Sequence, residues 1–168
     1  HPTLGKITEV TDPAGASTHY TYDERGNLIS VTDALGHTTH YQHDARGLPI
    51  VITDALGKSR HLAYNACGQL IRYTDCSGQS TQYSYDGWGH LSQITDALGQ
   101  STRYAHDALG RLLAVQHPDG SQERFDYDLA GRLIDYTDPL GATTRYALAA
   151  DGLPITRTNA EGGVLSYE

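Results

Sequence analysis

The sequence predicts an all-β fold, an antiparallel meander of β-hairpins made of eight repeats of 21 residues. Three observations predict it: glycines recur every 21 residues, short turn motifs end in those glycines, and strand-forming residues fill the runs between them. One glycine series runs from Gly15 to Gly162 and the other from Gly5 to Gly152. Sixteen of the 18 glycines belong to these series, so the period covers the whole chain.

One repeat, residues 16–36, shows how each element arises. It contains two turn motifs, Asp23 to Gly26 and Asp33 to Gly36. Aspartate at the first position can accept hydrogen bonds from amides beyond it, and glycine at the fourth accepts the left-handed backbone after a type I turn. Runs of about seven residues rich in Thr, Tyr, Val and Ile separate the motifs. We therefore expect one hairpin per repeat and about 16 short strands.

Side-chain alternation along the strands predicts two different faces. Tyr20 and Tyr22 share one face, and on the next strand Ile29 and Val31 share one face. Ten of the 12 tyrosines and the single phenylalanine occupy the positions of Tyr20 and Tyr22. Because one cross-strand pair contributes only about 0.2–1 kcal/mol, the stability of such a sheet must come from repetition.

The repeat pattern assigns structural roles to its aromatic and turn residues. The aromatic positions are represented by Tyr20, Tyr22, Tyr83, Tyr85, Phe125 and Tyr127. The turn positions are represented by Asp23, Gly26, Asp33, Gly36, Asp86, Gly89, Asp128, Gly131, Asp138 and Gly141.

The number of strands and the ends of the chain predict a part of something larger. Sixteen strands about 4.8 Å apart would extend roughly 75 Å, and open sheets of more than about ten strands curl, split or flatten. His1 aligns with Tyr22, and Tyr167 aligns with Tyr146, so both ends fall within strands. We expect residues 1–168 to be one repeat array, cut from a longer array, that curls as part of a large β-shell.

Composition argues against several classes of protein. The net charge of −8 argues against a nucleic-acid-binding protein. No apolar run is long enough to span a membrane, and the first residues do not resemble a signal peptide.

Cys67 and Cys76 fall in turns at opposite ends of one strand, roughly 20 Å apart. A disulfide tolerates a Cα separation of only about 7 Å, so we expect two free thiols.

The motif Tyr-x-Tyr-Asp-x-x-Gly-x-Leu followed by Thr-Asp-x-x-Gly resembles the YD repeat of the rearrangement-hotspot (Rhs) family. The best matches are residues 20–28 followed by 32–36, and residues 125–133 followed by 137–141. The resemblance covers the whole chain and implies a β-strand shell that spirals around a hollow interior. In bacterial members it implies that the shell encloses a variable C-terminal toxin, delivered by machinery such as type VI secretion in interbacterial competition. Related shells occur in insecticidal toxin complexes and in teneurins, where they are parts of adhesion receptors.

The resemblance also implies partners and a location. The expected partners are the protein's own C-terminal toxin and the flanking repeats, with secretion-spike and chaperone proteins as further partners. It implies a secreted or cell-surface-delivered protein. From charge and composition, we expect this segment neither to bind nucleic acid nor to insert into a membrane. Bacterial members end the shell at an extended Asp-Pro-x-Gly-Leu motif. Here Asp138-Pro139-Leu140-Gly141 continues into ordinary repeat sequence, so we interpret it as a turn.

No catalytic, cofactor or metal site is predicted. Nucleophile elbows, phosphate loops, dinucleotide fingerprints and zinc-protease motifs are absent, which argues against an enzyme. Equivalent positions lie about 9.6 Å apart, too far for neighbouring turn aspartates to share a calcium ion, or for the histidine ladder to share a zinc ion. That ladder comprises His19, His40 and His61, and continues as Gln82, Arg103, Arg124 and Arg145. It predicts a polar face that becomes basic and could bind anions or an acidic cargo.

Three residues, two histidines and a tryptophan, leave alternatives open. His43 and His106 replace the tyrosine of the motif, which we interpret as packing variation. Trp88 lies at a turn apex, where it is either a rim aromatic or a carbohydrate-stacking residue.

Besides the shell, the sequence is compatible with an adhesive or carbohydrate-binding module. A four-bladed propeller is disfavoured, because odd and even repeats do not alternate in character.

Overall fold

The computed structural model describes residues 5–167, which form β-strands and turns without a helix. Sixteen strands are hydrogen-bonded in chain order as one open, antiparallel sheet. The predicted hairpin meander is therefore confirmed. Among the described residues there is consequently no helix that could cross a membrane. His1, which we aligned with Tyr22, lies outside the described residues.

The chain divides into two compact units, residues 1–81 and 82–168, with the boundary inside the eighth strand. The first unit contains β1 (Glu9–Thr11), β2 (Ser17–Tyr22), β3 (Leu28–Thr32), β4 (Thr38–His43), β5 (Pro49–Thr53), β6 (Ser59–Tyr64) and β7 (Leu70–Thr74). After β8 (Ser80–Tyr85), the second contains β9 (Leu91–Thr95), β10 (Ser101–His106), β11 (Leu112–Gln116), β12 (Gln122–Tyr127), β13 (Leu133–Thr137), β14 (Thr143–Leu148), β15 (Pro154–Thr158) and β16 (Val164–Ser166).

Each turn between consecutive strands has the same backbone hydrogen bonds. In one example the amide of Gly36 donates to the carbonyl of Asp33 (3.0 Å), and the amide of Asp33 donates to the carbonyl of His37 (3.0 Å). The Asp33 carboxylate accepts the amides of Leu35 and His37, both at 2.9 Å. Gly36 has a φ of +84°, in the left-handed region where a side chain is strained. The turn chemistry predicted for the Asp-x-x-Gly motifs is thus present.

The strands are shorter than expected, and each repeat contains a bulge. Complete strands have five or six residues rather than about seven, because each turn also takes up flanking residues. Between β2 and β3, Thr21 pairs with Ser30, but Tyr22 pairs with Leu28, which leaves Ile29 without a partner. The same shift recurs in later repeats. The regular alternation predicted from the sequence does not include this bulge.

The sheet is a single layer with almost no core. Val115, with 8 % of its surface exposed, is the buried hydrophobic residue within the described range. It pairs with Tyr104 on β10 and with Glu123 on β12. Along β2, Tyr20 and Tyr22 are half-buried, whereas His19 and Thr21 are exposed. The tyrosine face is therefore the more shielded one, and most burial comes from neighbouring strands rather than from a second layer.

Candidate functional site

The turns lie on two edges of the sheet, which we name by their residues. The tyrosine edge contains the turns that follow the motif tyrosines and begin at Asp23, Asp44, Asn65, Asp86, Asp107, Asp128 and Ala149. The leucine edge contains the turns that begin at Asp12, Asp33, Asp54, Asp75, Asp96, His117, Asp138 and Asn159. Both edges have the same backbone turn, but their surroundings differ.

At the tyrosine edge, motif tyrosines bind the preceding repeat. The hydroxyl of Tyr22 donates to the carbonyl of Ile7 at 2.8 Å. Tyr64 donates to Pro49 at 3.0 Å and Tyr127 donates to Leu112 at 2.9 Å, in the same geometry. Each bond joins the end of one strand to the neighbouring chain segment of the previous hairpin, which is a strand for Pro49 and Leu112. The tyrosines therefore satisfy backbone carbonyls as well as covering the sheet.

Replacing Tyr127 with phenylalanine should lower the free energy of unfolding by about 1 kcal/mol, because the Leu112 carbonyl loses its partner at a half-buried position. Tyr104→Phe is the matched control, since no hydroxyl bond of Tyr104 is found within residues 5–167. Urea unfolding followed by circular dichroism would measure both variants. Equal losses would show that the hydroxyl bond contributes nothing.

Side chains four residues after the turn aspartates extend this linkage. Arg132 donates from Nε to Asp128 Oδ2 (2.7 Å) and from Nη1 to the carbonyl of Ala149 in the next turn (2.8 Å). Arg111 binds Asp107 in the same way, and its guanidinium lies 5.0 Å from the ring centre of Tyr127. The ion pair within each turn holds the arginine in place, and hydrogen bonds and a cation–π contact from these arginines join the turn to the next repeat.

The glycines show the difference between the two edges. A Cβ added to Gly47, on the tyrosine edge, would lie 2.7 Å from Oδ1 of Asn27 in the preceding turn. A Cβ added to Gly36 or Gly57, on the leucine edge, would have no atom within 4 Å. Among the described residues, turns therefore approach their neighbours closely at glycines of the tyrosine edge and not at those of the leucine edge.

Several turn carboxylates have pKa values below the ordinary value because they accept hydrogen bonds. The hydrogen bond from the backbone amide of Arg132 is the main cause of the lowered pKa of Asp128, and a bond from the Arg132 side chain adds to it. Together they outweigh the effect of partial burial, which raises the pKa. For Asp23, the side-chain hydrogen bond from Asn27 is the main cause of its lowered pKa. Because these oxygens already accept amides, they are poor candidates for a calcium ladder.

Exposed apolar residues lie at the third position of several turns. On the leucine edge they are Leu35, Leu56, Leu98 and Leu140. On the tyrosine edge they are Trp88 and Leu109, and Leu129 is exposed at the second position of its turn. Trp88 is 75 % exposed, so it is available to a partner. Cys67 and Cys76 are exposed free cysteines, one on each edge.

The predicted basic ladder is only partly a charged surface. Arg145 donates to both carboxylate oxygens of Asp135, at 2.9 and 3.3 Å, and this hydrogen-bonded pair raises the pKa of the guanidinium. Arg103 and Arg124 bind the neutral amides of Gln93 and Gln122. Two arginines of the ladder therefore retain uncompensated charge, and the third is neutralised.

The other aromatic and turn residues named from the sequence lie in paired strands and in turns. Tyr20 pairs with Val31, Tyr83 pairs with Ile94, and the ring of Phe125 lies 5.2 Å from that of Tyr136. Tyr85 pairs with Leu91 in the bulge register. The turns that contain Gly26, Gly89, Gly131 and Gly141 each close on the carbonyl of their first residue, Asp23, Asp86, Asp128 and Asp138.

One cluster was not identified from the sequence. Within the described range, Asp86, His90 and His106 are the metal-ligating side chains that converge, each offering one ligand atom within 4.8 Å of the others. Nδ1 of His90 lies 3.1 Å from Oδ2 of Asp86, and the His90 and His106 rings are 5.3 Å apart. Partial burial raises the pKa of Asp86, but hydrogen bonds from His90 and Trp88 outweigh it and lower the net value. His90 carried no signal in the sequence beyond its place four residues after a turn aspartate.

Comparisons with known proteins agree with this architecture. A family model described as teneurin YD-shell matches residues 3–157. A chain in the crystal structure of TcdB2-TccC3-Cdc42 is similar over 86 % of this chain and 9 % of its own length, with a TM-score of 0.75 and 20 % identity. A chain of the Photorhabdus luminescens Tc holotoxin pore is similar over 88 % of this chain and 9 % of its own length, with a TM-score of 0.74 and 20 % identity.

A third solved structure, TcdB2-TccC3 without its hypervariable C-terminal region, has 19 % identity and a TM-score of 0.73. The similarity covers 90 % of this chain and 10 % of that one. This chain therefore spans about a tenth of the length of the solved chains that it matches. At such identities the structures establish a shared fold. No curated protein sequence matches significantly.

Proposed function

Because this chain belongs to the teneurin YD-shell family, we propose that it is a wall segment of a β-shell that encloses a C-terminal toxin. Its role is structural, and the shell would deliver the toxin to a competitor or host cell. The proposed partners are flanking repeats of the same shell and the protein's own toxin. Secretion-spike and chaperone proteins, type VI delivery, and a secreted or cell-surface location belong to the same proposal.

One observation carries the proposal: the repeats form a continuous single-layer wall with almost no core of its own. Within residues 5–167, the buried hydrophobic residue is Val115. The family match covers residues 3–157, so nearly the whole matched repeat array lacks a core of its own. Globular domains normally bury a sheet face against a second layer. A wall of a hollow container has no need for such a layer, and its hydrogen-bonded strands would exclude surrounding solution from the interior.

The similar structures support a cargo at the C-terminal side. One of them is named as lacking a hypervariable C-terminal region, so the similar chain there is paired with a variable segment. We extend that arrangement to this protein. The expected curl of the sheet into a large shell is part of the same proposal.

Limited proteolysis of the full-length protein tests the enclosure. We expect the region after the repeats to resist protease while the wall is intact. Replacing Tyr64 and Tyr127 together with alanine removes two hydroxyl bonds between repeats, and should increase cleavage of that region. Leu109→Ala, at an exposed turn tip, is the matched control and should leave protection unchanged. Cleavage of the C-terminal region at the rate of the free region would contradict the proposal.

The exposure of Trp88 favours a second candidate, an adhesive or carbohydrate-binding module. A glycan array with the full-length protein and its Trp88→Ala variant distinguishes the two. Binding that depends on Trp88, together with an unprotected C-terminal region, would favour adhesion. An array without hits and a protected region would favour the shell.

A further inference from the structure

We propose that Asp86, His90 and His106 form a Zn²⁺ site that joins two consecutive repeats at the tyrosine edge. Asp86 and His90 come from one turn, and His106 comes from the end of β10 in the next repeat. Their ligand atoms all lie within 4.8 Å of one another. This inference does not depend on the toxin-enclosing function.

The turn positions the first two ligands. Oδ1 of Asp86 accepts the amides of Trp88 and His90, both at 2.9 Å. Its second oxygen, Oδ2, therefore points to the side chain of His90, whose Nδ1 is 3.1 Å away. The carboxylate is fixed by the backbone and keeps one oxygen for an ion.

His106 provides an independent observation. Its Nδ1 is shielded from solvent and has no hydrogen-bond partner among the described residues. A buried polar atom without a partner is costly, so such an atom calls for a physical explanation. At the same repeat position, Tyr64 and Tyr127 bind backbone carbonyls through their hydroxyls. Substitution of histidine for tyrosine gives up that bond, and a bound ion would provide a reason for the imidazole.

The set of donors favours zinc. Two imidazoles and one carboxylate, with a water as fourth ligand, are typical of Zn²⁺, whereas Ca²⁺ and Mg²⁺ prefer oxygen ligands. With bonds of about 2.1 Å, ligands of a tetrahedral site lie about 3.4 Å apart. The Asp86–His90 separation of 3.1 Å already approaches this value. Because the three ligand atoms lie within 4.8 Å of one another, the ligand atom of His106 must move closer by up to about 1.4 Å, which a side-chain rotation supplies.

The proposed site is partly shielded from solvent. The side chains of His90 and Asp86 are 29 % and 25 % exposed. A pair of the same types, Asp33 and His37, has a similar bond of 3.0 Å on the leucine edge, but it is more exposed and is not part of a three-ligand group. That pair provides a matched control within the same chain.

Isothermal titration of the full-length protein with Zn²⁺, and melting with and without Zn²⁺, test the site. His106→Tyr restores the repeat consensus, and His90→Arg introduces the residue found at that position in the next two repeats. Both variants should fold, yet lower the affinity of the tightest site by more than about tenfold, since even outer partners of metal ligands affect affinity by that factor. They should also remove the Zn²⁺-dependent rise in Tm.

His37→Gln should leave the affinity and the rise in Tm unchanged. Equal affinity in the wild type and in His106→Tyr would overturn the proposal, as would an equal loss in His37→Gln. If one histidine variant fails to fold, the other decides the outcome. Co²⁺ in place of Zn²⁺ provides a visible absorption spectrum that should be lost in both histidine variants and retained in His37→Gln.

Discussion

Acidification from neutral pH to about pH 3 is expected to destabilise the sheet strongly, because many turn carboxylates accept their hydrogen bonds more strongly when they are ionised. Eight turn aspartates have pKa values lowered below their ordinary value: Asp23, Asp33, Asp44, Asp75, Asp86, Asp107, Asp119 and Asp128. For Asp44 the main cause is the hydrogen bond from the amide of Leu48, and for Asp75 it is the bond from the Ser77 side chain.

The direction of the pH effect follows from these shifts. A carboxyl group whose pKa is lower in the folded state stabilises the fold at pH values above its unfolded pKa, which for aspartate is about 3.9. That contribution is lost as the pH falls through the folded-state value. The free energy of unfolding should therefore change little between pH 7 and about pH 5, and should fall increasingly steeply below about pH 4.

Urea unfolding at several pH values, followed by circular dichroism, measures this dependence. The control replaces Asp23, Asp44 and Asp75 with asparagine. Asn65 shows that an amide oxygen can fill the same role, since its Oδ1 accepts the amides of Cys67 and Gln69, both at 3.0 Å. The asparagine variant should lose less stability on acidification than the wild type. If both lose the same amount, the turn carboxylates are not the cause.

The sequence predicted the hairpins well because the information for each turn is local. Aspartate and glycine three residues apart determine the turn, and every turn shows the same bonds, including the turn that begins at Asn65. Turns that lack the leading aspartate can also be explained. At the turn that begins at His117, Asp119 accepts the amide of Ser121 instead. A carboxylate therefore still accepts a backbone amide of this turn, although the leading aspartate is absent.

The features that were missed depend on contacts between repeats. Both edges have Asp-x-x-Gly motifs, so the sequence does not show that, among the described residues, turns approach one another closely at the glycines of only one edge. The bond from Arg132 to Ala149 spans 17 residues, which is neither the repeat period nor a turn spacing. The His90–His106 contact likewise follows from strand register and from the bulge that ends β10. We interpreted His106 as a packing variant because the sequence does not show the bulge, which brings His106 next to His90.

Replacing Gly47 with alanine should destabilise the protein more than replacing Gly36, although both glycines have a φ of +84°. The left-handed backbone alone should cost about 1–2 kcal/mol in either variant. At Gly47 the new methyl group would also lie 2.7 Å from Asn27 Oδ1, so that side chain must move. Its movement breaks the 2.8 Å bond from Asn27 Nδ2 to Asp23 Oδ2, which should add about 1 kcal/mol.

A double-mutant cycle separates the two costs. In the background of Asn27→Ala the methyl group at position 47 has no amide to displace, so Gly47→Ala should then cost only as much as Gly36→Ala. Urea unfolding of the wild type and of the single and double variants gives the coupling free energy between the two positions. A coupling of about 1 kcal/mol would show that turns on the tyrosine edge stabilise one another through direct contact. A coupling near zero would mean that each hairpin is stable by its own turn and strand pairing, and that contact between turns adds nothing to the wall.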